Sequence, residues 1–203
     1  AKFPVLLAGM RSSSEKETEA IRQLVAKTNL PVVETFQGAG VLNRELENHF
    51  FGRVGLFRNQ VGDELLRKAD LVVTIGYDPI EYEASNWNKE LDTEIIAIDE
   101  VQAEITNYLR PKKEIVGNIA GTIHLLSENV TEPIINEERL NDLEQLRADI
   151  IEATGVKYTH EDGVMHPLEI IETMQNNLTD DTTVTVDVGS HYIWMARKFR
   201  SYN

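Results

Sequence analysis

Four short apolar runs, set apart by polar and helix-patterned stretches, constrain this chain more than any other feature of it. PVLLAG (4–9), PVVET (31–35), LVVTIG (71–76) and EIIAID (94–99) place apolar residues at consecutive positions, the pattern of strands buried on both faces. Between the first two lies SSSEKETEAIRQLVAKTN, where a serine cap, a Glu three positions on, and Ile21, Leu24, Val25 and Thr28 at helical spacing predict a capped amphipathic helix. GDELLRKA (62–69) predicts another helix, and EIVGNIAGTIHLLSE a last short strand feeding a helix. Strands alternating with helices imply an α/β fold, a doubly wound, mostly parallel sheet covered on both faces, over residues 1–128.

The character changes after residue 128. SENVTEPIIN carries turn formers, and NEERLNDLEQLRADIIEA sets Leu140, Leu143, Leu146 and Ile150 at helical spacing among acids. Residues 129–164 therefore read as an acidic linker with one solvated amphipathic helix, in preference to a coiled-coil partner helix. PLEIIETMQNNL starts a helix with Pro in its first turn. TVTVDVG (183–189) predicts a strand, and GSHYIWM a tight turn opening a helix. An incomplete second α/β unit is expected over 165–203. Phe3-Pro4-Val5 enters a strand directly behind Ala1, which reads as a piece cut from a longer chain, although Met removal and processing would leave the same trace.

Composition narrows the function classes. A hydrophobic share of 41% and a charged share of 27% over 203 residues suit a globular protein with a proper core. No apolar run approaches the ~20 residues that cross a bilayer, no leader pattern is present, and there is no cysteine. A cytoplasmic protein without membrane contact is expected. Twenty Lys plus Arg against 34 Asp plus Glu leave a net charge of -14, which sets the chain against nucleic acid.

Several stretches could carry chemistry. FQGAGVL (36–42) has G-x-G without a third glycine and follows the second strand, so a plain turn is favoured over a nucleotide loop. Arg11 with Ser12, Ser13 and Ser14 could hold an anion at a helix N-terminus, although capping explains the serines equally well. Arg58 and Asn59 sit in a loop before a helix, where open α/β sheets take ligands, although plain surface decoration explains them equally well. GYDPIEYEASNWN (76–88) is rich in aromatics and is expected to pack on a partner subunit, a neighbouring domain or a flat ligand. Asp99 ends a strand where an acid can take a ribose hydroxyl or cap the next helix. The five histidines show no metal-ligand spacing, His160 and His166 giving only a weak pairing. Gly189-Ser190-His191 alone combines strand, turn and helix in the order a diphosphate needs.

Taken together, GLFRNQVGDELLRKADLVVTIGYDPIEYEASNWN, IIAIDEVQAEI, HPLEIIETMQ and TVTVDVGSHYIWMARKFRSY resemble the catabolic α-acetolactate synthase family, over essentially the whole chain. The resemblance implies a thiamine-diphosphate-dependent carboligase that joins two pyruvates with loss of CO2, built of three α/β domains and homo-oligomeric. By it, residues 1–128 are the middle domain, 129–164 the linker and 165–203 the start of the diphosphate-binding domain. It implies that Val188, Gly189, Ser190 and His191 contact the cofactor's diphosphate, Ser190 standing where many biosynthetic relatives have Gln. The family's catalytic glutamate belongs to the N-terminal domain, and its magnesium-ligating GDG and Asn motif is expected beyond residue 203. No catalytic or metal-binding residue is therefore expected within this chain, which alone should be inactive. Biosynthetic relatives bind FAD in the middle domain. Here Gly55-Leu56-Phe57-Arg58 replaces their Gly-Met-His-Gly, and Tyr77 or Asp78 stands at their flavin-contacting Arg, so FAD is not expected to be required. The alternatives are another thiamine-diphosphate enzyme, or a stand-alone dinucleotide-binding or oligomerisation module.

Overall fold

A computed structural model describes residues 1–55, 61–154 and 163–202. Six strands, β1 (Pro4–Ala8), β2 (Val32–Thr35), β3 (Phe50–Val54), β4 (Leu71–Ile75), β5 (Glu94–Asp99) and β6 (Lys113–Val116), pair entirely in parallel. Their order, β3-β2-β1-β4-β5-β6, reverses between β1 and β4, the switch point of a doubly wound sheet. The α/β expectation holds. Central β1 is sealed on both sides, with Val5, Leu6, Leu7 and Ala8 no more than 1% exposed. Truncating such a residue, as in Leu6→Ala, should cost about 2–5 kcal/mol in lost transfer energy and cavity.

Helices α1 (Glu15–Thr28), α2 (Val61–Lys68) and α3 (Ile119–Asn129) accompany the sheet. α1 buries Ala20, Ile21, Leu24, Val25 and Thr28, the stripe its spacing predicts. Its Ser14 does not cap the backbone; the hydroxyl instead meets the Glu17 carboxylate. Asn29, at φ 58, ends the helix in the left-handed conformation that asparagine tolerates.

β3 is the strand the sequence does not announce, because FFGRV breaks its apolar run with glycine and arginine. Val32 pairs with Phe50 but Glu34 pairs with Arg53, so β3 carries one extra residue between them. Gly52, at φ +103, absorbs that bulge. The extra residue reverses the facing of the two positions after it. Val54 turns with Val33 towards Gly62 of α2, whereas Arg53 turns to the opposite face with Glu34.

Beyond the sheet lie α4 (Glu137–Thr154), α5 (Pro167–Asn177) and α6 (Ser190–Lys198). The linker helix α4 is docked, not free. Leu143 is buried, Leu140 and Leu146 pack on the core, and Arg147 donates to the carbonyls of Phe50 at 2.8 Å and Glu47 at 3.4 Å. α5 begins at a His166 cap, whose Nδ1 accepts from the Leu168 N–H at 3.2 Å while Glu169 reaches back to the His166 N–H at 3.0 Å. The strand expected over 183–189 is not formed: residues 182–187 are irregular. A strand needs a ladder partner, and no described strand pairs with this segment.

Candidate functional site

In this topology a ligand crevice is expected outside the carboxyl ends of β1 and β4. Here it is closed by the protein itself. A Cβ at Gly9 would lie 2.5 Å from Tyr77 Cα, one at Gly38 would lie 2.5 Å from the Ala8 carbonyl oxygen, and one at Gly76 would lie 2.6 Å from the Arg11 carbonyl carbon. The three loops therefore meet backbone to backbone.

Side chains fill what remains. Arg11 does not wait for an anion: its Nε and Nη2 donate to the two oxygens of Asp99 at 2.9 and 2.8 Å, and its Nη1 donates to Asp78 at 2.9 Å. Asp99 also accepts from the Glu100 N–H at 2.7 Å, so it closes its own turn and grips Arg11. The Arg11 hydrogen bond holds the Asp78 carboxyl below its ordinary range. On the other side, buried Glu81 accepts from the Met10 N–H at 2.9 Å and from the Thr35 hydroxyl at 2.8 Å. Burial pushes the Glu81 carboxyl up, against the pull of those donors. Met10 lies in the first strand-to-helix turn, where a donor would face a nucleotide phosphate, and Thr35 ends the neighbouring β2; an internal carboxylate occupies both.

The aromatic loop 76–88 also turns inward. Tyr77, Tyr82 and Trp87 are at most 6% exposed, and Tyr77 and Trp87 meet edge to face at 6.4 Å. The Tyr77 hydroxyl donates to the Tyr82 carbonyl and the Tyr82 hydroxyl to buried Asp63, and burial pushes both phenols up. The expected partner or ligand for these rings is the chain's own core. Ile80, 87% exposed, is the large apolar side chain of the loop left at the surface.

The turn at Val188–His191 is the reverse case. All four residues are exposed, and α6 follows Gly189, an N-cap residue with no side chain of its own to bond the first turn. The Tyr192 N–H bonds the Gly189 carbonyl at 3.1 Å, while among the described residues no group accepts from the Ser190 and His191 N–H groups, at the positive end of the helix dipole. The imidazole of His191 folds back over Gly189, 2.7 Å from where a Cβ would stand. An uncapped N-terminus with a hydroxyl at Ser190 suits a diphosphate chemically. Asp187 beside it, accepting from the Val188 N–H at 2.7 Å, adds negative charge that an accompanying cation would offset.

The rest of α6 is held more firmly than four trailing residues would suggest. Ile193, Trp194 and Phe199 are half-buried, Trp194 packs edge-on to His166 at 5.5 Å, and Tyr192 meets Phe36 at 6.3 Å. These contacts give the terminal helix a partly buried face. Among the described residues, no group of three or more His, Asp or Glu side chains is placed to hold a metal ion. Leu56, Phe57, Arg58, Asn59 and His160 lie outside the described residues.

A family model described as "Thiamine pyrophosphate enzyme, central domain" matches residues 1–126. The chain belongs to the thiamine pyrophosphate enzymes. Within that family it is 45% identical over 202 residues to "Acetolactate synthase" of Bacillus subtilis (strain 168), and 36% identical over 206 residues to "Acetolactate synthase, catabolic" of Raoultella terrigena. It is 26% identical over 219 residues to "Probable acetolactate synthase large subunit" of Methanococcus aeolicus. These alignments cover 99 to 100% of this chain but only 35 to 36% of the relatives, so the chain spans about a third of their length. The alignments run through the α6 turn as well as the sheet.

Three residues of this thiamine pyrophosphate enzyme escaped the sequence reading: Glu34, Arg53 and Glu81. A signal existed for the first, since a glutamate inside PVVET is a charge in a run otherwise destined for burial. Glu81 gave none, because an acid in a polar loop reads as surface.

Proposed function

We propose that this chain is part of an acetolactate synthase that condenses two pyruvates to 2-acetolactate and CO2. The relatives it matches along its whole length carry that name. Residues 1–128 would be the middle domain, 129–164 the linker and 165–203 the start of the diphosphate-binding domain. The observation that carries the cofactor reading is the exposed, uncapped N-terminus of α6. There the N–H groups of Ser190 and His191 and the Ser190 hydroxyl would hold the diphosphate of thiamine diphosphate, with magnesium offsetting Asp187 and the phosphates. When bound, thiamine diphosphate supplies the carbanion chemistry of the condensation; these residues bind and orient it. The full-length enzyme would be a cytoplasmic homo-oligomer.

FAD would not be required. The closed switch point supports this, because Glu81 and the Arg11–Asp99 pair stand where a dinucleotide would lie. A full-length enzyme carrying this sequence should make acetolactate from pyruvate when given thiamine diphosphate and magnesium without flavin, and residues 1–203 alone should make none. Acetolactate from the isolated chain, or none from the full-length enzyme without added flavin, ends the proposal.

A further inference from the structure

Helix α6 touches the sheet at the end opposite its exposed turn. Arg53 donates through Nη1 to the carbonyls of Ala196, in the last turn of the helix, at 2.8 Å and of Phe199, just past its end, at 3.2 Å. Its Nη2 donates to Glu34 at 3.2 Å, where the side-chain exposures are 6% and 0%. A buried ion pair is costly to desolvate, and an apolar pair of similar size would serve the sheet as well. What an apolar pair could not do is bind helix carbonyls. A guanidinium at the C-terminus of a helix complements its dipole and fixes two acceptors in one plane. At 1.5 Å per residue, the nine residues of α6 place that clamp roughly 13 Å from the turn.

Two other arginines anchor the chain beyond the helix. Arg200 donates to Glu34 at 3.4 Å and Glu47 at 3.0 Å and lies over the Phe50 ring at 3.3 Å. Arg22 donates to the Tyr202 carbonyl at 3.2 Å and to the Gly40 and Val41 carbonyls at 2.9 Å. These contacts hold the segment after the helix. Arg53 alone among them grips the helix end itself.

We propose that Arg53, charged against Glu34 and clamped on the Ala196 and Phe199 carbonyls, is a positioning residue that sets where α6 presents its N-terminal turn to the cofactor diphosphate. This rests on the reading of Val188–His191 as the diphosphate turn. The sheet then orients the cofactor through a helix, without touching it.

The test uses the full-length holoenzyme. R53M should raise the KM for thiamine diphosphate about tenfold while kcat at saturating cofactor changes less than about twofold, since a misplaced turn weakens binding that excess cofactor restores. R53K keeps the charge against Glu34 but loses the planar fork; it should give a smaller rise in the same constant, and it decides the matter if R53M does not fold. R200M should lower thermal stability and leave the cofactor KM unchanged. Hydrogen exchange should show faster exchange of the 194–198 amides in R53M than in the wild type, with or without cofactor. An unchanged cofactor KM in whichever Arg53 variants fold, or unchanged 194–198 exchange, overturns the proposal. S190P, which suits the first helical position but removes an N–H, tests the turn separately: if it leaves cofactor KM unchanged, the diphosphate reading fails, while the exchange data still judge the Arg53 clamp.

Discussion

The molecule presents two strand-end or helix-start turns with donors to offer, and it treats them oppositely. At the end of β1, the Met10 N–H is taken by Glu81 and the Arg11 guanidinium by Asp99 and Asp78. At the start of α6, among the described residues, no side chain hydrogen-bonds the Ser190 and His191 N–H groups. Topology alone would nominate the first place as the ligand site. The difference teaches that an α/β crevice is a site only where the protein leaves its donors unspent.

The comparison can be broken from the closed side first. R11M should have the largest effect, about 2–3 kcal/mol in a urea titration, because it strands the Asp99 carboxylate, while the partial exposure of Arg11 and Asp78 keeps the loss below that of a fully buried pair. It should also shift acid unfolding. Asp78 has a lowered carboxyl in the folded protein, so its stabilisation is full above the ordinary carboxylate value and lost as pH falls through the lowered one. Without Arg11 that contribution shrinks, so stability should fall less steeply with acid over this range, which urea titrations followed by circular dichroism at several pH values would record.

E81A comes next, at about 1–3 kcal/mol, since it leaves the Met10 N–H and the Thr35 hydroxyl without their acceptor. Glu81 titrates in the opposite sense to Asp78. Its carboxyl is raised in the folded protein, so its contribution to stability declines as pH climbs from the ordinary glutamate value through the raised one. E81Q should remove that decline; an unaltered pH slope would mean that another group produces it. On the open side, S190A should change stability by no more than about 0.5 kcal/mol, because an exposed turn supports little of the fold. The smallest signal should come from magnesium pyrophosphate added to the chain. Amide resonances of Ser190 and His191 should move while those of Met10 and Arg11 stay still, and the reverse pattern would invert the comparison.

The legible part of the fold was the part that apolar runs write. β1, β2, β4 and β5 lie within their predicted stretches because strands buried on both faces leave consecutive apolar residues. β3 was hidden because its glycine and arginine serve a bulge and a clamp. TVTVDVG misled for a different reason: its alternation is strand-like, but a strand exists only with a neighbour. The aromatic loop misled through its outward chemistry, since Tyr77, Tyr82 and Trp87 satisfy the core and one another. For the candidate site, the turn at Gly189 could be found by its order of elements. Arg11 and Asp99 carry the chemistry of ligand-binding groups, but sequence spacing could not reveal that residues 88 apart meet each other.

The bulge at Gly52 gives β3 a parity. Counting along a strand assigns each side chain to one of two sides, and one inserted residue exchanges the assignments downstream of it. Flattening the bulge with Gly52 kept in the ladder would therefore do more than straighten the strand. It would put Gly52 opposite Glu34 and exchange the sides of Arg53 and Val54, sending the charge into the layer shared by Val33 and α2, whereas deleting Gly52 would leave Arg53 beside Glu34 in a regular ladder. A single glycine thus acts as the parity bit by which the sheet addresses one of its two layers.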